Sequence, residues 1–355
     1  MRNKMRELPK LSKAQEEKAQ ELHEKAVVIN MMDSTARYSF DKNYCEKLIQ
    51  AGVTALNTTV NLNVSFRPWE GLSETLREFY MWYDKLDYLD KIVQVRKAED
   101  IEQAKRDRKT SIIFGFQNPH PIDSDINLLR IFYQLGLRVC GVAYTRRNSL
   151  ADGCGEKTDC GLSRIGEVFV EELNKLHVLI ELAHCQTKSS LQIMELSRDP
   201  VAFTHSNPRG AYNHLRNLTD EQIQACAEKG GVIGVNAFST FLHPKGMEQG
   251  ATIADALDHI DYIVGLVGAN HVGLGLDFTE SRTIEEALEL QRAYPELGAS
   301  PETPTSESIR RRYALKSILD IRDYARGFVA KGYSDQEILR ILGGNWLNLF
   351  RQVWK

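Results

Sequence analysis

Two histidines end consecutive apolar runs: His184 closes HVLIELAH (177–184) and His205 falls near the end of VAFTHS (201–206). Imidazole nitrogens brought a few ångströms apart suit a Zn2+-like ion, and they can also pass a proton. Other reactive side chains end runs of the same kind. Asp33 follows AVVINMM (26–32), Gln117 ends SIIFGFQ (111–117), Tyr144 ends RVCGVAY (138–144) and Asp277 ends HVGLGLD (271–277). A carboxylate such as Asp277 can hold a metal, take a proton from an attacking water, or simply cap the next helix. Arg216, in NHLRNLTDEQ ahead of a helix starting at Thr219-Asp220, offers a fork for a substrate carboxylate or a surface salt bridge. Asn148, in the loop after Tyr144, is a further candidate for substrate contact.

These residues share a site only if their runs are parallel strands of one sheet. Two more runs, VTALNTTV (53–60) and GVIGVNAF (231–238), complete a set of eight, each rich in β-branched residues and too short for a helix. Between them, INLLRIFYQLG, IGEVFVEELNKLH, SSLQIMELSR and TDEQIQACAEKG return apolar residues every three or four positions. Repeated alternation of strand and helix predicts an α/β fold of the (β/α)8 TIM-barrel type, with an open doubly wound sheet as the alternative. In a barrel the C-terminal strand ends carry the site, so the residues above would meet on one rim. A single domain over 1–355 is expected, with an N-terminal helix at 12–25 and a helical C-terminal extension at 306–352. The loop-like stretch 292–308, after the eighth run, is placed to act as a lid or as a partner contact.

Composition narrows the function classes. With 42% hydrophobic residues, 26% charged residues and a net charge of −3, the chain can bury a large core and has no basic excess for nucleic acid. The polar start MRNKMRELPKLSKAQEEKAQ lacks a signal-type apolar core and no apolar run reaches membrane-spanning length, so a cytoplasmic protein without a membrane partner is expected. Six cysteines without CxxC spacing signal neither a zinc knuckle nor a redox motif. Sequons at Asn57, Asn63 and Asn217 are read as chance matches.

The segments GFQNPHPIDSDINLLRIFYQLGLR, NKLHVLIELAHC, VAFTHSNPRGAYNHLRNLTDEQI, HVGLGLDF and ILGGNWLNLFRQVW together resemble the renal or membrane dipeptidases, peptidase family M19 of the amidohydrolase superfamily. The resemblance covers nearly the whole chain. It implies a barrel of the metallo-dependent hydrolase type, two zinc ions joined by a carboxylate, hydrolysis of dipeptides, and pairing into a homodimer. It also implies that His184 and His205 are metal ligands, that Asp277 works on the catalytic water, and that Arg216 meets the substrate carboxylate.

Three positions depart from the pattern. Met31-Met32-Asp33 stands where the family has His-x-Asp, Gln117 where it has the bridging Glu, and Tyr144 where it has a substrate-facing His. An amide lends one carbonyl oxygen but no charge to hold two cations together, and a thioether suits softer ions than Zn2+. One divalent ion, Zn2+ for preference, or none is therefore expected. Three functions follow. The first is a mononuclear hydrolase of a C–N bond in a small carboxylate-bearing substrate, with His184, His205 and Gln117 around the ion, Asp277 moving the proton, and Arg216, Tyr144 and Asn148 on the substrate. The second is a metal-independent lyase or isomerase using Asp33, Tyr144, His184, His205 and Asp277 as acid–base groups. The third is a non-catalytic binder of a small carboxylate.

Overall fold

The computed structural model describes residues 6–35, 39–61, 71–122, 125–297 and 303–355. The Asn63 sequon and residues 298–302 of the 292–308 stretch lie outside them.

The β-branched runs form parallel strands β1 (Val28–Asp33), β2 (Val53–Thr59), β4 (Thr110–Phe116), β5 (Leu137–Gly141), β6 (Leu179–Glu181), β7 (Ala202–Phe203), β8 (Val232–Val235) and β9 (Val272–Leu274). Their order, β2-β1-β9-β8-β7-β6-β5-β4, is closed by a β2–β4 pairing that runs from Ala55↔Ser111 to Thr59↔Gly115. The sheet is thus the eight-stranded barrel that the alternation predicts, and the open sheet is excluded. One further strand, β3 (Ile92–Gln94), pairs with the start of β4 at Ile92↔Thr110. It is absent from the set of eight runs because Ile92, Val93 and Val95 stand between the charged stretches DK and RKAED with Gln94 among them, so no longer apolar run marks it.

Helices lie between the strands and at both ends of the chain. The first, Lys13–Lys25, is started by Ser12, whose hydroxyl accepts from Gln15 N while the Gln15 side chain caps Ser12 in return. The last, Asn345–Val353, carries the fully buried Trp346, whose Nε1 donates to Leu274 O at 3.2 Å. Trp346 shares one apolar cluster with Ile29, Met31, Ala55, Ile113 and Val139. That cluster supports the site and takes in a side chain, Met31, that the family pattern would give to metal. No helix among the described residues is long and apolar enough to cross a membrane. All six cysteines are free, with only Cys160 exposed.

Candidate active site

His184 and His205 follow β6 and β7, which are neighbours in the barrel, and their rings face each other across 5.1 Å between centroids. The two Nε2 atoms are 3.1 Å apart, and Gln117 Oε1 lies 3.2 Å from His184 Nε2. The three residues therefore meet at one point, as their run-ending positions predict. The far nitrogens are also engaged. His184 Nδ1 is 3.0 Å from Thr145 Oγ1, and His205 Nδ1 is 2.8 Å from Thr204 Oγ1. Burial, with Arg216 adding its charge, holds both imidazoles well below their ordinary pKa, so they are neutral at physiological pH. Neutral imidazole is the form that binds metal or accepts a proton.

Glu181, unremarked in the sequence reading, fixes this pair. Its Oε1 accepts from Ala183 N at 2.5 Å and from Thr204 N at 3.2 Å, the residues that precede the two histidines. One carboxylate oxygen thus ties two strand ends together. An acid inside the apolar run HVLIELAH is the sequence signal for it, since a buried carboxylate needs such donors. The threonines had a weaker signal. Thr204 precedes His205 and Thr145 follows Tyr144, but nothing in one sequence says that either hydroxyl turns to a ring nitrogen.

Asp277 enters the rim after β9. Ser34 Oγ donates to its Oδ1 at 3.1 Å and Asn236 Nδ2 to its Oδ2 at 3.2 Å. Burial pushes its carboxyl above the ordinary value, against Arg216 and the Asn236 bond, which favour the charged form. Asp277 and Thr145 also occupy the left-handed region, at φ 52° and 57°. Such a conformation costs a non-glycine residue roughly 1–3 kcal/mol, and strain of this kind gathers where side chains are held for a task.

Asp33 ends β1 yet turns away from the histidines. Tyr44 OH donates to its Oδ2 at 2.5 Å and Thr35 N to its Oδ1 at 2.9 Å. No hydrogen bond among the described residues joins it to His184, His205 or Gln117. Burial pushes its carboxyl from 3.8 up to about 6. A carboxyl with a higher pKa folded than unfolded binds more protons when folded, so its contribution to stability is complete below pH 4 and lost as pH rises through 6. In Asp33→Asn that loss should vanish. Unfolding measured at pH 4 and pH 7 should differ between variant and wild type by on the order of 2–3 kcal/mol, and a difference independent of pH would contradict the assignment.

Three expected substrate contacts are placed differently from one another. Tyr144 stacks on His184, with centroids 4.0 Å apart, and meets Tyr294 edge to face at 5.2 Å. Tyr294 belongs to the part of the 292–308 stretch that folds over the rim, pinned by Arg146 Nε to Glu296 Oε1 at 2.9 Å. Asn148 corrects the sequence reading. Its Nδ2 donates to Val142 O at 2.9 Å, and its Oδ1 accepts from Leu150 N at 2.8 Å and Ala151 N at 3.0 Å, so the amide oxygen is spent on shaping its own loop and one Nδ2 hydrogen is spent on the end of β5's run. Arg216 is buried, and its fork faces the main chain. Nη1 donates to Ala183 O and Ser206 Oγ, and Nη2 to His205 O at 3.3 Å.

The residues present test the metal expectation. Zn–N bonds of about 2.0–2.1 Å at a tetrahedral angle place two nitrogens about 3.3 Å apart, close to the 3.1 Å between the two Nε2 atoms. With each Nδ1–H given to a threonine, both Nε2 lone pairs and the Gln117 oxygen point inward, a donor set that fits one ion. It does not fit two. Met31 is fully buried in the apolar cluster, Asp33 is bonded to Tyr44 and Thr35, and Gln117 Nε2 donates to Thr59 Oγ1 at 2.8 Å. Among the described residues no group of three or more His, Cys, Asp or Glu is arranged for a metal.

Comparisons with known proteins agree with this architecture. The family model described as Membrane dipeptidase (Peptidase family M19) matches residues 18–310. An uncharacterized dipeptidase of Schizosaccharomyces pombe is 34% identical over 190 residues, 53% of this chain and 46% of that protein. A dipeptidase of Aspergillus oryzae is 27% identical over 247 residues, 69% of this chain and 52% of that protein. The crystal structure of an amidohydrolase from Pseudomonas aeruginosa superposes with a TM-score of 0.83 at 28% identity, covering 95% of this chain and 99% of that one. The chain spans about half the length of the curated relatives it matches.

Proposed function

The chain belongs to the membrane dipeptidase family, peptidase family M19, and on that premise we propose that it hydrolyses a C–N amide bond in a small, carboxylate-bearing, dipeptide-like substrate, at a site that takes one divalent ion, Zn2+ for preference. The observation that carries this reading is the 3.1 Å approach of His184 Nε2 to His205 Nε2 with both Nδ1 atoms held by threonine hydroxyls. An ion held there supplies Lewis acidity toward the scissile carbonyl and the attacking water.

The chain's own residues supply the rest. Asp277, fixed on both oxygens, takes the proton of the attacking water and returns it to the leaving nitrogen. Its raised pKa suits both halves of that task, because the carboxyl must lose and regain a proton in one turnover. Tyr144, stacked on His184, and Tyr294, set edge to face against it, wall the pocket above His184 and keep water from that side.

A panel of dipeptides and their C-terminal amides, offered to zinc-supplemented protein with amino-acid release as the readout, tests this reading. At least one free dipeptide should be cleaved, its amide much less, and Asp277→Asn should lower kcat by about 10^2 to 10^4-fold. No cleavage of any member would sink the proposal. Asn236→Ala removes a bond that favours the charged Asp277, so the acid limb of the kcat/KM profile should move to higher pH. A limb that stays in place or moves down would contradict the role of Asp277 as base.

One observation favours a second reading, metal-independent acid–base catalysis. The four groups can bond with no cation present if Thr145 donates to His184 Nδ1, His184 Nε2–H to His205 Nε2, and His205 Nδ1–H to Thr204. The Arg216 charge nearby also disfavours a dication. Metal content separates the two readings.

A further inference from the structure

A buried cation is stable only when paired, because the protein interior does not replace its hydration. Arg312 breaks that rule. It is 3% exposed, its Nε has no hydrogen-bond partner, and no hydrogen bond or ion pair engages its guanidinium among the described residues. Its position is nevertheless well fixed. Ser239 N donates to Arg312 O at 2.7 Å, Ala314 N donates to Ala237 O at 2.8 Å, and Phe238 and Tyr313 form an antiparallel bridge. These contacts fasten Arg312 to the loop that leaves β8, just after the Asn236 that holds Asp277.

A second arginine lies beside it. Arg282, in the loop that follows Asp277, donates from Nε to Tyr313 OH at 3.2 Å and from Nη2 to Thr279 Oγ1 at 2.9 Å, both neutral partners. Burial and the charge of Arg282 together push the Arg312 pKa down, whereas Arg282 itself faces the Asp277 and Glu286 carboxylates, which favour its charge; among the described residues Arg312 is the member of the pair left without a counter-charge. Arg216 contrasts with this pair, since its terminal nitrogens face main-chain carbonyls and Ser206 and only Nε lacks a partner.

We propose that Arg312, assisted by Arg282 in the loop that follows Asp277, forms an anion subsite that takes a carboxylate of the substrate. The inference rests on the reading that the substrate bears a carboxylate. A free guanidinium fork matches the two oxygens of a carboxylate, and a phosphate has the same oxygen spacing. Arg312 is therefore a binding residue that destabilises the protein until an anion arrives.

Thermal denaturation of the full chain tests this at constant ionic strength, with glycylglycine, glycylglycinamide, acetate and inorganic phosphate as probes. Glycylglycine and acetate should raise the Tm and the amide should not. Arg312→Met should fold with a Tm at or above wild type and lose the carboxylate shift, since it deletes an unpaired charge. Arg312→Lys should keep part of the shift and raise KM tenfold or more with a much smaller change in kcat. A carboxylate shift that survives Arg312→Met would overturn the proposal, as would failure of that variant to fold or absence of any shift in wild type. A shift produced by phosphate alone would overturn the carboxylate assignment. An Arg312-dependent shift in a protein that cleaves no dipeptide supports the subsite while defeating the hydrolase reading, so the two failures are distinguishable.

Discussion

His205→Ala is expected to lower kcat/KM by about 10^3-fold or more, roughly 4 kcal/mol of transition-state stabilisation, and to abolish binding of the divalent ion. The magnitude follows from the poverty of the donor set. His184, His205 and the Gln117 amide are the groups that converge, so losing one imidazole leaves a single nitrogen and a neutral oxygen. A site with three strong protein ligands would retain partial affinity, and this one should retain almost none. The outer contact predicts a graded companion effect. Thr204→Val removes the hydroxyl 2.8 Å from His205 Nδ1 and should weaken ion binding about 10 to 100-fold without unfolding the protein. Isothermal titration with zinc of the two variants and wild type checks both statements. Wild-type affinity in His205→Ala would contradict the placement of the ion.

Met31→His/Gln117→Glu/Tyr44→Phe is expected to bind a second ion and to raise the rate on simple dipeptides at least tenfold. Each substitution answers a feature of the structure. Histidine at 31 restores a nitrogen donor where a fully buried thioether now lies against Ile29 and Ala55. Glutamate at 117 restores the charge that two cations need between them. Tyr44→Phe frees Asp33, whose carboxylate the tyrosine hydroxyl now holds at 2.5 Å. The pair Met31→His/Gln117→Glu alone should bind the second ion more weakly than the triple variant, because Asp33 stays bonded to Tyr44. Without metal the triple variant should lose about 2–4 kcal/mol of stability, since polar groups enter a buried setting unpaired, and zinc should return it. Metal stoichiometry and unfolding with and without zinc measure this. A variant that folds, stays at one equivalent in excess zinc and gains no activity would show that these three positions do not control the second ion.

The strand ends were the most legible part of the chain. Runs such as SIIFGFQ and HVLIELAH are β-branched, short and punctuated, and barrel topology places their last residues on one rim, which is why Gln117, His184 and His205 meet as expected. What each side chain does on that rim was less legible, because it depends on register and on partners from distant segments. Asp33 reads as an acid–base group on the rim until Tyr44, from the following helix, is seen to hold it. Asn148 reads as a substrate contact, and its amide instead bonds three groups of its own loop. Arg216 reads as a fork for a carboxylate, and its Nη atoms face Ala183, Ser206 and His205. Arg312, buried and without a partner, had no signal at all, since burial of one arginine in a stretch reading SIRRRYALK is decided by packing rather than by pattern.

Elemental analysis of protein purified without chelators, made alongside activity on the best dipeptide of the panel, tests the central claim most directly. Close to one equivalent of zinc or another divalent ion per chain is expected, with activity that falls on chelation and returns on re-addition. Full activity in metal-free protein, or two equivalents in the unmodified chain, would contradict it.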